Sequence, residues 1–247
     1  GKKYFGFQGD TLASALMANN IKIIGRSFKY HRPRGIMSAG VEESGALVTI
    51  GNDDRRDPNV RASTQELYES LAASGQNAFP NVNFDLGEIN NLFNRFLAAG
   101  FYYKTFMGIP PFEWGRGTKI WMFYEKFIRS AAGMGKASRM PDPDKYEHAH
   151  DFCDVLVVGS GPAGIAAALK VAEHKLDVIL VEQDSELGGS ELSESVAKIE
   201  QNVLALKEAG VKIMKRTTAF GLYDYGVVGL LELITDHQSI PSDDDPR

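Results

Sequence analysis

The sequence has a single cysteine, Cys153, in 247 residues. One thiol excludes a disulfide within the chain and any zinc or iron–sulfur site that needs several thiolates from it. It also fits a reducing compartment, so the cytoplasm is the expected location. No apolar run approaches the ~20 residues that span a bilayer. The opening Gly-Lys-Lys-Tyr-Phe-Gly-Phe lacks the apolar core of an export signal, so neither a membrane span nor secretion is expected. A basic excess is missing too: Lys and Arg total 27 against 32 Asp and Glu, a formal net charge of −5. That balance disfavours nucleic acid as a partner, because neutralising phosphates needs a dominant basic surface. No Ser/His/Asp arrangement or carboxylate pair stands in a recognisable hydrolytic motif, and no catalytic residue is assigned.

What is present is globular. Apolar residues make up 43% and charged residues 24%, enough to bury real cores, and the length suits two domains of ordinary size. Asp10 or Thr11 can cap a helix through Asn19, with Leu12, Ala15 and Leu16 at helical spacing. A short strand is expected at Ile21–Ile24, then a loop rich in Arg, Gly and Pro from Gly25 to Gly40, then a strand pair in the alternating stretch Val41–Ile50. Between Val60 and Phe79 the pattern predicts a strand followed by a helix. From Ile120, apolar positions recurring at three and four predict a helix with an aromatic face. Gly133, Gly135, Pro141 and Pro143 among charges mark a linker over 133–150.

After the linker the pattern turns to strand, helix, strand: Val155–Val158, Pro162–His174 and Val178–Val181. A second helix is expected over Leu192–Ala209, stopped by Gly210, and a third strand over Val211–Met214. The first strand runs into Gly159-Ser160-Gly161-Pro162-Ala163-Gly164, where each glycine has its own duty. Gly159 permits the tight bend, Gly161 lets backbone approach a pyrophosphate, and Gly164 lets the helix sit close on the sheet. Pro162 suits the first helical turn, where a missing N–H costs nothing. The helix start offers free amides and roughly half a positive charge to phosphates. Glu182, followed by Gln183, closes the second strand near the ~20-residue spacing at which an acid meets an adenosine ribose, and its charge disfavours NADP. The Gly188-Gly189 pair follows in order. The same turn serves the ADP half of NAD and of FAD, so the motif alone does not choose between them.

Weaker signals have plainer readings. Arg26, Lys29, His31, Arg32 and Arg34 alternate with Phe28 and Tyr30; the leading reading is a loop whose cations pair with acidic groups of the protein or a partner, ahead of an anionic cofactor contact. His148, His150, Asp151 and Cys153 are ligand types without metal-site spacing, and no metal is assigned. Trp114, Trp121 and Tyr124 read as packing rather than a flavin box.

Gly9-Asp10-Thr11-Leu12-Ala13-Ser14-Ala15-Leu16, Gly25-Arg-Ser-Phe-Lys-Tyr-His-Arg-Pro-Arg-Gly35, Asn83-Phe-Asp-Leu86, Phe101-Tyr-Tyr-Lys-Thr-Phe-Met107 and the turn at Gly159 closely resemble the α subunit of heterotetrameric sarcosine oxidase. Such subunits are about four times longer, and this chain starts with Gly1 and ends at Arg247, so the expectation is an N-terminal fragment. The resemblance implies an α+β and α/β chain: a ferredoxin-like β-grasp domain over 1–90, a helical and loop connecting region over 91–150, and an incomplete Rossmann domain over 151–247. Relatives of the first domain hold a [2Fe-2S] cluster; Arg26–Gly40 lies where its ligands belong and has Ser27 and Ser38 but no cysteine, so a cluster-free, structural domain is expected. The resemblance further implies NAD on this chain through Gly159, Ser160, Gly161, Pro162, Ala163, Gly164, Glu182 and Gln183, with FAD and FMN elsewhere in a complex with a β subunit and smaller subunits. That complex converts sarcosine to glycine and hydrogen peroxide and passes the one-carbon unit to tetrahydrofolate. Alternatives are the α subunit of a related opine or amino-acid dehydrogenase, or a truncated, non-catalytic assembly module. The fragment alone is expected to be inactive.

Overall fold

The computed structural model of the protein describes residues 1–95, 122, 125, 126, 135–238 and 246. Contacts between Cα atoms divide the chain into Gly1–Pro143 and Asp144–Arg247. Of the helix expected from Ile120, Met122, Glu125 and Lys126 are described and helical; Trp114, Trp121 and Tyr124 lie outside the described residues.

The first unit is α+β. Helix α1, Leu12–Ala18, starts where Thr11 accepts from the Ser14 amide and the Ser14 side chain accepts in return from the Thr11 amide, a reciprocal cap that satisfies two otherwise free donors. Strands β1 (Gly25–Arg26) and β2 (Pro33–Arg34) pair antiparallel. A second sheet has the order β4-β3-β5, from Asp57–Arg61, Leu47–Ile50 and Ala73–Gly75, all antiparallel. Leu12, Ala13, Ile24, Ala46, Val48, Ile50 and Ala62 form its core.

Three local expectations fail here. The strand expected at Ile21–Ile24 starts at Gly25, because the pairing partner of this segment is the short Pro33–Arg34 turn-back. Only Leu47–Ile50 of Val41–Ile50 is strand; Glu43 folds its side chain onto the loop's own backbone and breaks the ladder. No helix forms between Arg61 and Ala73. That segment's backbone is taken by tertiary bonds instead: Ala62 and Gln65 carbonyls accept from the Ala13 and Leu12 amides, and the Leu67 amide donates to Asp10.

The second unit is α/β. Strands β6 (Val155–Val158), β7 (Val178–Val181) and β8 (Lys212–Met214) form a parallel sheet in the order β6-β7-β8. Val155 pairs with Val178, and Leu180 with Ile213. Helices α2 (Pro162–Ala172) and α3 (Val196–Glu208) make the crossovers, and this is the strand order of the first half of a doubly wound sheet, in which ligands sit outside the carboxyl ends of the strands. The central strand β7 is buried throughout, as a run of Val, Ile and Leu requires. Ile165, Ala168, Leu180, Leu187, Leu206 and Val211 supply most of the core. The expected helix from Leu192 begins later: Gly189–Ser193 is a 3-10 turn, and Ser195, extended, caps α3 through the Lys198 amide, leaving Leu192 exposed. Strands β9 (Thr217–Leu222) and β10 (Val228–Glu232) form an antiparallel hairpin.

Candidate dinucleotide site

The glycine turn lies at the carboxyl end of β6. Gly159 has φ +91, and its amide donates to the Val181 carbonyl, which ties the bend to the tip of β7. Gly161 is the N-cap of α2 with no side-chain cap, and Pro162 follows. The first-turn amides of α2 are therefore not covered by a side-chain oxygen. A Cβ built on Gly161 meets nothing within 4 Å, so its face is open. Gly164 is the reverse: its Cβ would lie 1.9 Å from the Gly159 carbonyl oxygen and 3.6 Å from the Val157 side chain. Its duty is close approach to the turn itself as well as to the strand.

Ser160 joins the parts of the site, a role its sequence position did not disclose. It is fully buried. Its amide and hydroxyl donate to one Glu182 oxygen, Oε2, at 2.7 and 2.6 Å. The hydroxyl also accepts from the Gly188 amide at 3.2 Å. The other oxygen of Glu182 accepts from the Asp184 amide at 3.0 Å. A carboxylate offers about four acceptor positions, so after three bonds one remains on the Oε1 side. Glu182 is 93% buried by this network, and burial together with its negative charge pushes the neighbouring Asp184 carboxyl up. Gln183 is half-buried beside it.

The Gly188–Gly189 turn completes the wall. Both glycines have positive φ, and a Cβ on Gly189 would sit 3.1 Å from the Gly161 Cα. The structure thus brings Gly159 to Gly164, Glu182 and Gly188–Gly189 together. It keeps Cys153 apart from this chemistry as a half-buried thiol whose pKa burial raises. Asp151 pairs with Lys212, while His148 and His150 are exposed.

Arg26, His31 and Arg32 of the basic loop are bound within the first unit. Arg26 donates to the Val82 and His31 carbonyls and to Glu88, and His31 meets Asp85 at 2.6 Å. Arg32 reaches Asn91 and lies over the Tyr30 ring. These pairings follow the leading reading of that loop.

Comparison with known proteins adds to this geometry. Residues 1–78 match the family model of the 2Fe-2S iron-sulfur cluster binding domain, and residues 154–223 that of FAD dependent oxidoreductases. Over 98% of its length the chain is 47% identical to the sarcosine oxidase subunit alpha of Rhizobium meliloti, and it is 31% identical to that of Corynebacterium sp. strain P-1. The chain is thus similar along its length to the N-terminal part of sarcosine oxidase α subunits. It spans about a quarter of the length of the former relative and about a fifth of the latter. Among solved structures, L-proline dehydrogenase from P. horikoshii shares the fold, with a TM-score of 0.52 and 20% identity over 94% of this chain and 36% of that one. Among the described residues no helix is long and apolar enough to cross a membrane.

Proposed function

We propose that residues 154–189 bind the ADP part of a dinucleotide within a sarcosine oxidase-type flavoenzyme subunit. The observation that carries this is the pairing of an open Gly161 face with an uncapped start of α2, beside a buried carboxylate that keeps an acceptor position. The residues fit the group: the amides of the turn and of Ala163 and Gly164 face phosphate, Pro162 removes a donor that phosphate does not need, and Glu182 takes a ribose hydroxyl. Ser160 and Gln183 support the carboxylate's end of the site. A bound flavin or nicotinamide would supply the electron or hydride transfer; the protein supplies position and charge.

NAD and FAD share the ADP part, and the turn grips only that part. NAD on this chain rests on the resemblance alone, whereas the match of residues 154–223 to FAD dependent oxidoreductases supports a flavin. FAD is therefore the first occupant and NAD the second. Oxidation of a CH–NH donor such as sarcosine, peroxide formation, one-carbon transfer to tetrahydrofolate and association with β and smaller subunits are proposed for the whole protein on the likeness to α subunits. The plan of a β-grasp domain over 1–90, a connecting region over 91–150 and a Rossmann domain over 151–247 is proposed on the same footing. Calorimetry with ADP, FAD and NAD on the purified chain tests the site. Binding of ADP that is lost in Gly161→Val supports it, and a folded chain that binds none of the three overturns it.

A further inference from the structure

Residues 1–78 match a cluster-binding domain, yet they include no cysteine to hold a cluster. Plant-type clusters take thiolates spaced C-x4-C-x2-C. In the loop before β3, Ser38, Glu43 and Ala46 stand at that spacing. Ala46 is fully buried and has only a methyl group to offer; the chain's one cysteine lies in the other unit.

What occupies the loop instead is a carboxylate. Glu43 is 98% buried. Its Oε2 accepts from the Met37 and Ser38 amides at 2.6 and 2.8 Å, and its Oε1 accepts from the Gly45 and Ala46 amides, the latter at 3.2 Å. Inward-pointing amides of one loop form a concavity that favours an anion, and iron–sulfur sites are built this way. Gly45 has to be glycine: a Cβ there would lie 2.8 Å from the Gly35 carbonyl oxygen and 3.1 Å from Glu43 itself.

We propose that Glu43 stands in place of the iron–sulfur cluster, its carboxylate serving as the internal anion of the amide cage, so that this loop folds without iron and takes none up. Burial raises the carboxyl pKa, but the four amides outweigh it and the net shift is downward, so the group is charged in the cage. The inference stands apart from the dinucleotide reading and involves no residue of the second unit.

The full chain is treated with ferrous iron and sulfide under anaerobic reducing conditions, desalted and assayed for metal. The expected result is no retained iron; about two irons and two labile sulfides per chain, with cluster absorbance, would overturn the proposal. In Glu43→Gln the side-chain NH2 group faces two amide donors, so hydrogen exchange across residues 37–46 is expected to quicken about tenfold or more, and unchanged exchange counts against the carboxylate. In Glu43→Ala the emptied cage should regain protection with added formate, while the wild type does not respond. If formate affects neither protein, the cage is not an anion site and the idea fails. Should neither variant fold, the wild-type iron assay decides.

Discussion

The Glu182 carboxylate accepts both the amide and the hydroxyl of Ser160, at 2.7 and 2.6 Å, and the same hydroxyl accepts from Gly188. The end of β7, the glycine turn and the Gly188–Gly189 turn are thereby one hydrogen-bonded unit. Ser160→Ala removes the centre of that unit and leaves a buried carboxylate one donor short. A loss of about 1–3 kcal/mol is expected, read from chemical unfolding, together with weaker ADP binding by calorimetry. Wild-type stability and affinity in this variant would show that the network is incidental.

Gly161→Val separates folding from binding. The position has φ −63, which any residue adopts, and nothing lies within 4 Å of an added Cβ. Stability should change by no more than about 0.5 kcal/mol, while ADP binding disappears because the branched side chain fills the phosphate's place. Retained binding would contradict the assignment of the open face.

Gly164→Ala should do the opposite. Its methyl would meet the Gly159 carbonyl oxygen at 1.9 Å, a clash with backbone that only a shift of α2 relieves. Overpacking of this kind costs about 1–3 kcal/mol or more, so the unfolding midpoint of the variant is expected to fall. An unchanged midpoint would show that the turn yields freely.

Acid should loosen the first unit. Burial raises the Asp85 carboxyl, but the Phe79 and Gly87 amides and His31 outweigh it, and the net shift is downward, as it is for Glu43. A carboxylate with a lowered folded pKa contributes stability that is complete above its unfolded value, about 4, and is lost as pH falls through the folded value. Exchange protection in residues 37–46 and 79–87 should therefore hold from neutral pH to about pH 5 and decline below it. Glu43→Gln and Asp85→Asn should each flatten the decline in their own segment. A decline unchanged in both variants would assign it to other groups.

The second unit was legible because its signals are local. A strand of Val and Leu, three glycines and an alanine-rich helix occupy consecutive residues, and the backbone freedom they need is a property of each residue alone. The first unit was less so. The helix expected within Val60–Phe79 lost to bonds with α1, from residues some fifty positions earlier in the chain, and no short window of sequence contains both partners. The start of α3 was missed for a local reason: it is set by the Ser195 cap and the preceding 3-10 turn rather than by apolar spacing.

From the sequence alone came the glycine turn, the acid at the end of the second strand, and the lack of cysteine in residues 1–143, since each depends on which residue stands at a given place. The tertiary structure alone decided that Ser160 binds Glu182 to two turns and that Glu43 gathers four amides of its loop. The reason is physical: a hydrogen bond depends on where folding carries its donor and acceptor, and for a buried carboxylate that place determines whether its charge faces phosphate, ribose or the protein's own backbone.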